Sequence, residues 1–360
     1  MILKKIKIHD PYISQKEKNL LNSTFQSHNW SSSYGGKNIQ TLEKKFANYI
    51  GCDEAVSVNS GSAALELSLS LLNLKNKDVI LTSLSHVSIA NSVVHNGGNP
   101  IFVDINLETL NISEDNIKKK ISSKTGLILL SHFGGYPCDI SKISKLAKKF
   151  KVPIIEDAAL ATGSSYKNNR IGTHSFAVCF SFHPVKILSA PKGGMVCLNG
   201  SQSKKNKKLL TARRNNGIID KSNYEVNFPG WNYYMDEFSA VLSISQLSKI
   251  LKMLKIRKEI AKRYFNELNI ANKMKFSSSC AYNFYWILVP NKKIILSKMN
   301  RKNIELVTYH PPIHHLKYFN KRQKLPNTDK VSKSLVLLPT HPNLSSKDID
   351  LIIKNVNNLI

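Results

Sequence analysis

Nowhere in the 360 residues is there a C-x-x-C pair, a G-x-G-x-x-G turn or a G-x-x-x-x-G-K-[ST] loop. The first absence argues against a zinc ribbon or a dithiol redox centre, and the other two remove the fingerprints of dinucleotide and P-loop binding. Cysteine is scarce: Cys52, Cys138, Cys179, Cys197 and Cys280 are scattered and odd in number, which suggests buried thiols rather than a disulfide framework. No apolar run approaches the roughly 18 residues of a membrane span. At the start, Met1-Ile2-Leu3-Lys4-Lys5-Ile6-Lys7 interrupts its apolar residues with lysine before a signal-peptide core forms, so a cytoplasmic protein is expected. Acidic residues are also few, with 24 Asp and Glu against 52 Lys and Arg and a net charge of +28. Such an excess invites a nucleic-acid or membrane-surface reading. The lysines are spread along polar faces, however, and are read as a solvated coat that would also steer an anionic substrate.

What is present is an ordinary globular composition, 42% hydrophobic and 21% charged, in a chain long enough for about two domains. Seven short apolar runs precede residue 200: Ala55–Val58, Val79–Leu81, Ile101–Val103, Leu127–Leu130, Pro153–Ile155, Ala177–Phe180 and Met195–Leu198. Their length and Val/Ile content predict strands buried on both faces. Between two of them, Ile140, Ile143, Leu146, Ala147 and Phe150 share a helical face, with Asp139 at the N-cap position. Leu65, Leu67, Leu69 and Leu71 fit a half-buried strand, but Leu65, Leu69 and Leu72 also fit a helix, which the Ala and Leu content favours.

Strand and helix in alternation predict an α/β fold whose large domain, residues 1–250, holds a seven-stranded, mostly parallel sheet flanked by helices. A long helix from Tyr234 to about Leu254 follows, with Ala240, Ile244, Leu247, Leu251 and Leu254 along its seam. After a basic helix at Ile256–Leu268, strand-like runs at Phe284–Val289, Glu305–Thr308 and Leu335–Leu338 predict a smaller α+β domain over residues 251–360. Its terminal helix has Ile349, Ile352, Ile353, Val356 and Ile360 on one side.

In open α/β sheets ligands bind beyond the carboxyl ends of the strands, so the residues following each run carry the functional signal. After the first run, Asn59-Ser60-Gly61-Ser62-Ala63-Ala64 opens a helix with small residues, either a plain cap or a cradle for an anion at the positive helix end. Glu156-Asp157-Ala158-Ala159 delivers a carboxylate, either a cap or surface acid or the partner of a cationic ring nitrogen. Ser181-Phe182-His183-Pro184-Val185-Lys186 then puts a lysine among aromatic and apolar residues between two buried strands. Desolvation there would lower its pKa toward that of a nucleophile. An anion cradle, a carboxylate and a desolvated amine are together what pyridoxal phosphate requires.

Those stretches, with Gly98-Asn99-Pro100-Ile101-Phe102-Val103-Asp104, Gly193-Gly194, Gly230-Trp231-Asn232-Tyr233, His310-Pro311-Pro312-Ile313-His314 and Leu338-Pro339, resemble in order and spacing the DegT-type nucleotide-sugar aminotransferases. The resemblance runs from Ile8 almost to Ile360. It implies fold type I and pyridoxal 5'-phosphate held by Lys186 as a Schiff base, with Asp157 on the pyridine nitrogen. Gly61, Ser62 and Ser181 would hold the phosphate, joined by Asn232 from the other subunit of a homodimer. His86 would stack on the ring, although a lone histidine on a predicted helix also fits packing.

The implied reaction moves an amino group from an amino acid, glutamate by expectation, to a keto-sugar nucleotide for surface polysaccharides such as the lipopolysaccharide O-antigen. The Ser-Phe-His-Pro stretch leans to carbon 4 of a 4-keto-6-deoxyhexose. Three positions depart from the family pattern and put the contacts to the cofactor hydroxyl and the donor in doubt. Leu160 stands for a polar residue, Lys192 for an acid and Tyr234 for an arginine. A sugar dehydratase, which would have histidine in place of Lys186, and a catalytically silent nucleic-acid-binding relative are the alternatives.

Overall fold

Each of the seven apolar runs becomes a strand of one sheet in the computed structural model, which describes residues 5–31, 36–220, 222–320 and 323–359. Met1 to Lys4 of the leader reading and Ile360 of the terminal seam lie outside the described residues. The strands are β1 (Glu54–Val58), β2 (Asp78–Thr82), β3 (Asn99–Val103), β4 (Thr125–Ser131), β5 (Ile154–Asp157), β6 (Ala177–Ser181) and β7 (Gly194–Leu198). Their order across the sheet is β1-β7-β6-β5-β4-β2-β3. Neighbours from β6 to β3 pair in parallel, and β7 alone runs antiparallel to both β1 and β6.

The runs are continuous rather than alternating because both faces are covered. On one face Ile80, Ile128, Leu130, Val178 and Phe180 join a core with Leu42 and Phe46 of the helix Lys37–Ile50 and Ile143 of the helix Ile140–Lys149. On the other, Val79, Leu81, Leu127, Leu129 and Cys179 pack with Ala64, Leu65 and Leu67 of the helix Gly61–Leu69. That helix settles the Leu65–Leu71 ambiguity: with Ala63 to Leu65 and Leu67 to Leu69 buried, it is enclosed nearly all round, so both spacings are apolar. Asp139 caps its helix as expected, accepting the N–H of Lys142.

The long helix predicted to Leu254 is two helices, Glu237–Ser248 and Ile250–Glu267. They break at Lys249, whose φ of −113° and ψ of 10° leave the helical region. Its ammonium reaches 2.5 Å from Glu17 and donates to the Tyr12 carbonyl, on another helix and its approach. The break rotates the seam, so Leu254 is buried as expected but Leu251 is exposed, and Ile250 and Met253 are buried in its place. A third core gathers Ile260 and Tyr264 from this second helix, β8 (Tyr285–Leu288), β9 (Leu335–Leu338), the terminal helix Ser346–Asn357, and Ile6 and Ile8. Glu305–Thr308, expected as a strand, contributes only a bridge between Val307 and Leu337.

Candidate active site

With β1, β2, β5 and β6 pointing the same way and β7 reversed, the ends of the first four and the start of the fifth meet at one sheet edge. There they line a cleft of about 710 Å³. Behind β1, Ser60 Oγ accepts the Ala63 N–H at 3.1 Å and caps the helix Gly61–Leu69. The helix thus presents its positive end, with Gly61 and Ser62, to the cleft. Glycine is needed at position 61, because a β-carbon there would lie 2.7 Å from Ser181 Cβ. At Gly194 a β-carbon would lie 2.5 Å from the Ser60 carbonyl oxygen, so the glycine pair lets β7 pass against the phosphate-type cradle.

Asp157 closes β5 and is 7% exposed. Its Oδ1 accepts the Ala159 N–H at 3.0 Å. Burial raises its pKa, opposed by that amide and by the charge of Lys186. Next door on β4's extension, His132 donates its backbone N–H to the Asp157 carbonyl at 3.2 Å. The fully buried His132 ring lies 2.9 Å from Glu156 Oε2 and accepts the Cys138 N–H, so the backbone that presents Asp157 is braced from behind.

Lys186 follows β6 through a tight turn, its N–H donating to the His183 carbonyl at 2.8 Å and its own carbonyl accepting from Ser189 Oγ at 2.7 Å. The side chain borders the cleft but is otherwise enclosed. Burial pushes the amine down to about 8, with Asp157 pulling the other way. At pH 7 about one molecule in ten then carries a free amine, against fewer than about one in a thousand for an ordinary lysine.

Gly61, Ser62, His86, Asp157, Ser181 and Lys186 therefore meet in one cleft. Asn232 does not line it: its side chain is exposed and its carbonyl accepts from Asn59 Nδ2 at 3.3 Å, while its neighbour Tyr233 reaches the cleft. His86 is not on a helix, as the sequence reading had it, but precedes the helix Ser88–His95, exposed, with Nδ1 2.8 Å from Ser88 Oγ. Its ring meets His310 edge to face at 5.0 Å. Of the three departures, Leu160 and Lys192 line the cleft and Tyr234 does not.

Sequence reasoning passed over His9, Asn283 and Tyr309, which also line it. Tyr309 packs edge-on against Phe133 at 4.8 Å and is the residue just before the matched His310-Pro311-Pro312 stretch, so the signal was one position away. His9 and Asn283 carry no local signal, because the former arrives from the N-terminal segment and the latter from the third core. The cleft holds His9, His86, His183 and His310 together; burial and the charge of Lys186 lower the pKa of each, that of His9 to about 3.

A small-residue cradle at a helix start, a buried acid and a half-buried amine fit pyridoxal phosphate in size and charge: anion, ring nitrogen and aldehyde in turn. Fold and cleft together define the class, a fold type I pyridoxal-phosphate enzyme. The chain belongs to the DegT/DnrJ/EryC1/StrS aminotransferase family, which residues 11–357 match. It is 30% identical to the GDP-perosamine synthase of Escherichia coli O157:H7, with 99% of this chain and 98% of that one aligned. It is also 30% identical to the UDP-4-amino-4,6-dideoxy-N-acetyl-beta-L-altrosamine transaminase of Campylobacter jejuni, over 87% of each. The pyridoxal-phosphate form of a putative sugar aminotransferase from Streptococcus pneumoniae superimposes with a TM-score of 0.90, at 23% identity and with 99% and 98% of the two chains covered.

Proposed function

We propose that the chain transfers the amino group of an amino acid, with glutamate as donor, to carbon 4 of a nucleotide-linked 4-keto-6-deoxyhexose, supplying an aminosugar for a surface polysaccharide such as the O-antigen. The observation that carries the reading is the meeting of Lys186, Asp157 and the Gly61 helix start in one cleft. The substrate class is supported by the relatives' names, a GDP-perosamine synthase and a transaminase of a 4-amino-4,6-dideoxy sugar.

When bound, pyridoxal phosphate supplies an electron sink and the carbon that carries nitrogen from donor to acceptor. Gly61, Ser62 and Ser181 would hold its phosphate through the helix-end amides and the hydroxyls. Asp157 would keep the ring nitrogen protonated, a charge-assisted bond whose strength grows with the burial of the acid. The Lys186 amine, its pKa lowered by burial to about 8, would take the α-proton of the donor and later return a proton to the sugar carbon. His86 would cover the ring face with its imidazole, steadied by Ser88 and His310. Asn232, turned away from the cleft of its own chain, would complete the neighbouring site in a cytoplasmic homodimer.

Purified holoenzyme should release at most one equivalent of 2-ketoglutarate from glutamate alone and turn over continuously only when a 4-keto-6-deoxyhexose nucleotide is present, with ping-pong kinetics. A panel containing 3-keto and 4-keto sugar nucleotides decides the carbon. Turnover confined to 3-keto substrates, or none with any sugar nucleotide, contradicts the proposal.

A further inference from the structure

Away from the cleft, the 3-10 turn Ile313–His315 and the helix Pro326–Ser334 bring two imidazoles and one carboxylate to a point. The ligand atoms of His314, His315 and Asp329 all lie within 4.8 Å of one another. Both rings aim at the same oxygen, with His314 Nε2 3.1 Å and His315 Nε2 2.8 Å from Asp329 Oδ1. Ring centroids only 4.2 Å apart mean that consecutive residues have turned their side chains to one side, against the usual divergence of neighbours along a chain.

We propose that His314, His315 and Asp329 form a binding site for a divalent transition-metal ion of the zinc class. Two neutral imidazoles and a carboxylate, with open positions left for water, are a donor set that such ions favour. Metal–ligand bonds of about 2.0–2.2 Å in a tetrahedral arrangement separate ligand atoms by about 3.3–3.6 Å, so the two contacts to Asp329, at 3.1 and 2.8 Å, need to open by about 0.2–0.8 Å. The exposure pattern suits entry: His314 is 3% exposed and forms the floor, while His315 at 48% and Asp329 at 33% face solvent.

The arms of the site are anchored on the sheet. His314 Nδ1 lies 2.7 Å from Ser83 Oγ, which also accepts the His314 backbone N–H at 3.0 Å. Across from it, Asp104 accepts the N–H groups of Asn327 and Thr328 and the Thr328 hydroxyl, fixing the first turn of the helix that carries Asp329. A ligand histidine whose second nitrogen is hydrogen-bonded is the usual arrangement at metal sites. With no ion, His314 Nε2–H donates to Asp329 and Ser83 O–H donates to Nδ1. With an ion, the proton resides on Nδ1 and is donated to Ser83 Oγ, and Nε2 offers its lone pair to the metal. His315 Nε2, 2.8 Å from Asp329 Oδ1, would turn its lone pair to the same ion. The ion would clip the turn that follows His310 on the cleft rim to the helix beyond it.

Zinc chloride titrated calorimetrically into the tag-free holoenzyme tests this. One equivalent per chain should bind and raise the melting temperature. His315→Ala and Asp329→Asn should each weaken binding by at least about tenfold, and His86→Ala should leave it unchanged. Equal binding by the wild type, His315→Ala and Asp329→Asn, or no binding by the wild type, overturns the proposal. Loss of binding in His86→Ala alone would assign the metal to the cleft and overturn it too.

Discussion

Lys186 and Asp157 are opposite charges on the wall of one cleft, and their balance makes predictions. Burial lowers the amine to about 8. A lysine is reactive when neutral, hence above its pKa, so capture of pyridoxal phosphate by the apoprotein should quicken as pH rises through about 8 and then level. Stopped-flow absorbance checks this, and a midpoint above 10 would place the amine in solvent. Asp157→Asn should retain the cofactor on Lys186 yet lose kcat by about 10- to 100-fold, the size of one charge-assisted hydrogen bond. Gly61→Ala forces a β-carbon to 2.7 Å from Ser181 Cβ and should cost about 1–3 kcal/mol of stability, with weaker cofactor affinity, by denaturant melts and equilibrium binding. That these residues share one cleft could be anticipated because each lies within six residues of the end of an apolar run, where the topology puts ligands. His9, Asn283 and Tyr309 were not, since their approach depends on how distant segments pack.

The strands were the clearest elements in the sequence, as burial on both faces leaves an unbroken apolar run too short for a helix and mostly rich in Val or Ile. Helix ends were harder to read. The seam through Ala240, Ile244 and Leu247 continues in the sequence to Leu251 and Leu254, but the chain breaks at Lys249 to serve a tertiary contact that periodicity does not register. Glu17, 2% exposed, is paired there with Lys249 and accepts from Ser14 and Ser245, which holds its carboxyl down at about 2. Because that folded pKa lies below the unfolded value, its stabilisation is complete above about pH 4.3 and fades as pH falls toward 2. Lys249→Met strands the buried carboxylate and should destabilise by about 3–5 kcal/mol in urea melts at pH 7. A change below 1 kcal/mol would mean the helix break has another cause. The helix after the break contributes Ile250, Met253 and Leu254 to the sheet core and Ile260 and Tyr264 to the third core. We propose that the large and small domains join within this helix, a few residues beyond the expected boundary at 250.

Across the whole molecule, the charge of +28 understates the surface, because Glu17, Glu43, Glu156, Asp157 and Glu237 are buried. Among the described residues no helix is long and apolar enough to cross a membrane. A basic shell around a cleft that takes a nucleoside diphosphate should steer substrate, so kcat/KM should fall as salt rises while kcat holds. Everything in this account depends on the amine at the end of β6 reacting with an aldehyde beside Asp157. The direct measurement is borohydride reduction of the yellow holoenzyme followed by peptide mass spectrometry. The account predicts one pyridoxyl group per chain, on the peptide containing Lys186, and a colourless, unlabelled Lys186→Ala protein. A label spread over several surface lysines, or one retained in Lys186→Ala, would contradict it.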